Sequence, residues 1–138
     1  MPDDGVKSPE VAYRQMIDSL VENTPLGSGQ LVREQGRHSN AHGAIRFNEF
    51  VARLSQADRI LLAEICEQER ESGTHDALSE LTWWILCEDL ELVVKGKPLP
   101  VDQSGMGLHG DYIGRRTDWP WPPADLKSHW PWPEVGDP

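Results

Sequence analysis

What this chain lacks narrows its role first. No apolar run approaches the ~20 residues that a helical bilayer span needs, so no membrane-spanning part is expected. The opening MPDDGVKSPE is acidic and polar, and no secretory signal is legible in it. Cysteine is scarce: Cys66 and Cys87 form no CxxC pair, so they make neither a disulfide framework nor a structural zinc site by themselves. They fall on two separate predicted helices, each near an apolar face. That reads as buried free thiols in a reducing cytoplasm, and a disulfide would require close approach of the two helices. Basic clusters are missing beyond Arg115-Arg116, and aromatics are not interleaved with them, which argues against nucleic-acid binding. Gly27-Ser28-Gly29 lacks the remainder of a GxxxxGKS/T phosphate loop, and there is no GxSxG elbow.

What is present is acid. The formal net charge is −10, and residues 49–94 carry −8 of it. A field of that sign repels nucleic acid and membrane surfaces and attracts basic partners, or it serves solubility alone. At 138 residues the chain suits one domain, expected over residues 1–123, followed by a Trp/Pro-rich tail at 124–138.

Helix starts are legible. Ser8-Pro9-Glu10 reads as a cap, a first-turn proline and a first-turn acid, with Tyr13, Met16, Ile17 and Leu20 as the apolar stripe of a helix to about Glu22. Residues 24–43, punctuated by glycine, read as a long loop, either mobile or functional. Ile45, Phe47, Phe50, Val51 and Leu54 predict a short helix with a broad apolar face. Ser55–Asp58 resembles a capping box with Asp in place of Glu. It opens a helix to about Ser72 with Ile60, Leu61, Ile65 and Cys66 inward.

Glu64, Glu67, Glu69, Arg70 and Glu71 then face out. Three of those carboxylates are expected near the helix's negative end, an unfavourable placement that points to an acidic surface kept for a partner. Gly73 is expected to close that helix and Thr74 to cap the next. Leu78, Leu81, Ile85 and either Trp84 or Cys87 form the stripe of this fourth helix. Of Trp83 and Trp84, one is expected in the core and the other at its border, or free to stack on a ligand.

Past Asp89 the apolar period shortens to two, so Leu90–Val94 reads as a strand. Leu99–Val101 returns through Gly96-Lys97 as an edge limited by Pro98 and Pro100. Leu108–Gly114 reads as one more short strand. WPWP occurs twice, with Trp119 and Trp121 in the first copy and Trp130 and Trp132 in the second. Alternating Trp-Pro is stiff and extended. The first copy is expected to pack on the domain against the helix of Trp83 and Trp84, the second more loosely or on another chain. The fold class predicted is α+β, mainly α: about four helices packed together, a short β-hairpin after the fourth, and an extended tail.

Several short motifs occur in a set order: Gly73-Thr74-His75-Asp76, the strand Leu90–Val94, Leu99-Pro100-Val101, His109-Gly110-Asp111-Tyr112 with Arg115, and Trp119-Pro120. In this order, over roughly residues 45–121, the chain resembles a family of small bacterial proteins known only as a domain of unknown function. The double tryptophan at 83–84 and the second WPWP depart from that pattern. The resemblance implies a compact bacterial domain and no activity.

Two functional readings stand. One is a non-enzymatic protein–protein interaction module, inhibitor- or immunity-like. It would take a basic protein partner on an acidic face including Glu64, Glu67 and Glu71, with Trp83, Trp119, Trp121, Trp130 and Trp132 as further binding candidates. The alternative is a small metal-dependent hydrolase using His75, Asp76, His109 and Asp111. Its plain counterpart for His75 and Asp76 is helix-start chemistry. His38 and His42 are four apart, the spacing of two ligands on a helix face, but position 39 is Ser39 and not the Glu of HExxH. The first reading implies no cofactor, no nucleic acid and no membrane. Oligomeric state is not legible.

Overall fold

Ser8 starts the first helix. Its Oγ accepts from the Val11 N–H at 3.3 Å, and α1 runs Pro9–Asn23. A computed structural model describes residues 7–24, 27–101 and 103–122. After α1 come α2 (Ser28–Gln35), a 3-10 turn (His42–Ala44), α3 (Ile45–Ala52), α4 (Gln56–Cys87), the hairpin β1 (Val93–Val94) and β2 (Lys97–Pro98), and α5 (Gly107–Arg116). The class is α+β, mainly α, with a small antiparallel sheet following the fourth helix. The described residues fall into two compact units. The first holds the chain up to Val21 and from Asp76 on; the second holds Glu22–His75.

In the first unit, Tyr13, Ile17, Leu78, Leu99, Leu108 and Tyr112 form the core. Met16 and Leu20 complete the α1 stripe as partly buried neighbours. The hairpin turns on Lys95 and Gly96, with φ 49° and 77°, the doubly positive pair of a type I′ turn. Pro98 faces Val93, while Leu99 N–H donates to the Leu92 carbonyl at 2.7 Å, so the proline occupies a position where the ladder needs no donor.

Residues 108–114 are helical, where the sequence predicted a strand. Gly107, Gly110 and Gly114 of α5 depress helix propensity, but they mark close approaches. A Cβ at Gly107 would strike Thr82, and one at Gly114 would strike the Trp119 ring. Thr82 supplies the missing cap from α4: its Oγ1 accepts from Leu108 N–H at 3.0 Å. At the other end Trp119 N–H reaches the Gly114 carbonyl (2.9 Å) and Asp118 N–H the Arg115 carbonyl (3.2 Å), with Asp118 left-handed at φ 63°. This is a Schellman closure with Trp119 as its apolar contact.

The second unit has a small core of Val32, Val51 and Ala63, with Leu62 partly buried. Residues 24–43 contain α2 and are not one long loop. Gly36, at φ 64°, ends α2 in the left-handed conformation that glycine adopts without strain. Within this unit α2 lies antiparallel along α4. Gly36 meets Arg59, Gly29 meets Ala63 and Glu67, and Gly27 meets Arg70.

No break occurs at Ser72–Thr74. Gly73 has open space around it, and Thr74 Oγ1 donates back to the Arg70 carbonyl at 2.9 Å inside the helix. An exposed glycine costs a helix only about 1 kcal/mol, too little to interrupt 32 residues held by packing. Ser55 does open α4, accepting from Asp58 N–H at 3.1 Å and donating to its carboxylate at 2.8 Å.

Candidate functional site

The face of α4 that carries apolar bulk in the second unit points outward. Its inward stripe is Arg59, Ala63, Glu67 and Arg70, because the glycines of α2 demand small or flexible partners. Leu61 and Ile65 lie about 100–200° round the helix from that stripe and are 57 % and 50 % exposed. Ile60 is exposed beside them, so the inward placement of Ile60, Leu61 and Ile65 is corrected. On α3, Val51 is buried, while Ile45, Phe47 and Phe50 are exposed. Six large apolar side chains of one small unit thus face solvent, interspersed on α4 with exposed Glu64 and Glu69. An unburied apolar set of that size marks a binding surface more often than an isolated exposed leucine does.

The acidic candidates divide. Glu64 is exposed. Glu67 is held by Arg33 at 3.1 Å, and Glu71 is half-buried with contacts of its own. Because α4 continues to Cys87, these carboxylates sit in mid-helix and not at the negative helix end that the sequence predicted. Trp83 and Trp84 are 50 % and 46 % exposed, so neither occupies the core. Their rings meet edge to face at 5.6 Å, and Trp84 Nε1 donates to Glu80 at 3.1 Å. Of the predicted stripe, Leu78 and Ile85 face the core, joined by Thr82, whereas Leu81, Trp84 and Cys87 are exposed.

Trp119 and Trp121 pack within the first unit, on α5 and α1. Trp121 lies between two guanidinium groups, Arg14 at 5.5 Å and Arg115 at 5.4 Å from its centroid, with the Tyr13 ring edge-on at 6.0 Å. Its Nε1 donates to Asp18 at 3.0 Å, and Asp18 also takes Arg115 at 2.7 Å. Arg115 further donates to the Trp119 carbonyl, and Arg14 to the Pro122 carbonyl. The first Trp-Pro segment is therefore strapped in place by ring and charge contacts. Trp130 and Trp132 lie outside the described residues.

Asp111 is 3 % exposed and fully engaged. One carboxylate oxygen accepts from the Tyr13 hydroxyl and the other from Ser104 N–H at 3.0 Å. It joins α1, the 103–104 turn and α5. His109 Nδ1 lies 3.3 Å from Thr82 Oγ1. His75 is half-buried and Asp76 exposed, both in the interior of α4 and not at a helix start. His38 stacks on Phe47 at 5.2 Å, and its segment is tied down by Asn48, which accepts from the amides of His38 and Ser39. Among the described residues, no group of three or more His, Cys, Asp and Glu forms that could hold a metal ion. Both thiols are free. Cys66 is half-buried, and Cys87 is exposed rather than buried. Burial, and secondarily the charge of Glu67, push the Cys66 thiol up from its usual range.

The comparisons with known proteins bear on the whole of this arrangement. Residues 7–123 match the Family of unknown function (DUF6547). The chain belongs to that family. The match takes in both units and the first Trp-Pro segment, a longer span than the motifs at 45–121 covered. No curated protein and no solved structure matches the chain. Among the described residues no helix is long and apolar enough to cross a membrane.

The exposed face of α3 and α4 escaped the sequence reading because the apolar residues were assigned inward by default. The available signal was smallness: Gly29 and Ala63 are the residues that permit close helix approach, and Ala63 lies on a different side of α4 from Leu61 and Ile65.

Proposed function

We propose that this member of DUF6547 is a non-enzymatic protein–protein interaction module, inhibitor- or immunity-like, that receives a basic protein partner on the outer face of α3 and the first half of α4. The observation carrying this reading is the exposure of Ile45, Phe47, Phe50, Ile60, Leu61 and Ile65 in a unit whose core is three small side chains. Charge selects the occupant. The chain as a whole carries −10 and residues 45–71 carry −2, so a second copy of the chain would meet like charge, whereas a basic partner gains by steering and by rim pairing. The apolar residues supply the desolvated centre of such an interface, and Glu64 and Glu69 its polar rim. The proposed setting is the cytoplasm, whose reducing conditions keep thiols such as Cys66 and Cys87 free.

The test is recovery of partners by the full chain, by Leu61→Ser with Ile65→Ser, and by Glu64→Gln with Glu69→Gln. A basic protein retained by the wild type, lost with the apolar pair and weakened by the acidic pair or by salt supports the reading. Recovery insensitive to all three changes overturns it. So does a homodimer in solution that the apolar pair dissociates, which would assign the face to a second copy.

A further inference from the structure

The first unit contains a cavity of about 520 Å³ between the start of α1 and the hairpin, well inside the size range of small-molecule sites. Its wall is apolar where Ala12, Met16 and Val94 line it, and its charge comes from Lys7, Lys95 and Lys97. The chain has four lysines, and the fourth, Lys127, lies outside the described residues, so every described lysine lines this one cavity. In a protein of net charge −10, no aspartate or glutamate among the described residues lines it. Among the described residues Lys95 and Lys97 have no carboxylate partner, while Lys7 donates to Gln15 at 2.6 Å. Pro9, the first residue of α1, also borders the cavity, so the positive end of a 15-residue helix adds to the field. Lys95 occupies the left-handed first position of the I′ turn, where Asn or Gly is the favoured choice. That position carries an ammonium group to the cavity against local backbone preference.

We propose that this cavity binds a small phosphate monoester with an apolar or aromatic body. The chemistry selects phosphate over carboxylate. A monoester carries close to two negative charges near neutral pH and three acceptor oxygens, enough for three ammonium groups. The apolar wall gives the ester's organic body a surface to cover, so free phosphate binds more weakly than the ester. The site lies in the first unit and is independent of the proposed protein-binding face.

The experiment follows backbone amides of the full chain by NMR at fixed ionic strength, titrating phenyl phosphate, inorganic phosphate and phenol. Phenyl phosphate should give saturable shifts at Gln15, Gly96 and Lys97, inorganic phosphate the same shifts with affinity lower by roughly tenfold, and phenol none. Lys95→Asn with Lys97→Gln should weaken phenyl phosphate by about tenfold or more. Its melting midpoint should hold or rise, because asparagine tolerates the left-handed position. Absence of saturable shifts with phenyl phosphate overturns the proposal, as does equal affinity in the double variant. Binding to vesicles of phosphatidylcholine and phosphatidylglycerol without binding to phenyl phosphate also overturns it, since the lysines would then serve a lipid headgroup surface.

Discussion

Among the described residues both units expose large apolar side chains, ten in the first and six in the second, but they differ in the core beneath them. In the first, Tyr13, Ile17, Leu108 and Tyr112 are fully buried, and a buried carboxylate, Asp111, is satisfied from two directions. In the second, the fully buried large residues are two valines, and the isoleucines, phenylalanines and Leu61 face solvent. Burying one aliphatic or aromatic side chain contributes on the order of 1.5–3 kcal/mol, so the first unit has by far the larger apolar stabilisation within itself. The second unit instead spends its polar contacts on seating α2: Arg33 on Glu67, Arg59 over Gly36 and Arg70 over Gly27. Packing that relies on glycine and arginine leaves the bulky residues of α3 and α4 for another purpose. The difference teaches where to look for stability and where for binding.

The contrast breaks if core truncation in the first unit is mild. Ile17→Ala should lose about 2–5 kcal/mol in denaturant unfolding, the range for a buried aliphatic deletion with its cavity; a loss near that of a surface change would mean the core is not where stability resides. Asp111→Asn should cost about 1–3 kcal/mol. The amide keeps an oxygen for Ser104 N–H but turns a donor toward the Tyr13 hydroxyl, ending a charge-assisted hydrogen bond. A neutral result in the same measurement would show that Asp111 does not join α1 to α5 energetically.

The same contrast is sharpened in the second unit. Leu61→Ser with Ile65→Ser should change unfolding free energy by less than about 0.5 kcal/mol per site, the usual range for surface positions, while lowering partner recovery. A large destabilisation there would move both residues from the binding face to the fold.

What could be read from the chain was what local chemistry determines. Ser8 and Ser55 cap helices through neighbours three residues away, and the change of period at Leu90–Val94 marks a hairpin, although its turn falls on Lys95-Gly96 and not on Gly96-Lys97. What could not be read depended on partners distant in sequence. Leu108–Gly114 reads as a strand yet folds as a helix, because Thr82 and Trp119, the side chains that the glycines at 107 and 114 make room for, are brought there only by the fold. Gly73 looked like a stop because its small cost was weighed without the packing that carries α4 past it. Lysines from opposite ends of the sequence carry no signal of a shared cavity until α1 and the hairpin are seen together.

Cysteine reactivity gives the smallest effect and the finest probe. Cys66 belongs to the second unit and Cys87 to the first. Burial, then Glu67, raises the Cys66 thiol, so little of it is thiolate at pH 8, and it is also less accessible than the exposed Cys87. Only the thiolate attacks an alkylating reagent, so Cys87 should react first. The gap should narrow as pH rises and Cys66 ionises. Glu67→Gln should close part of it and no more, because desolvation is the larger cause and remains. Peptide mapping after brief alkylation reads the order directly. If Cys66 were instead the faster site at pH 8, the second unit would have to open often enough to override its burial. The three-residue core of that unit would then be too weak to hold α2 on α4, and the proposed binding face would be a transient one.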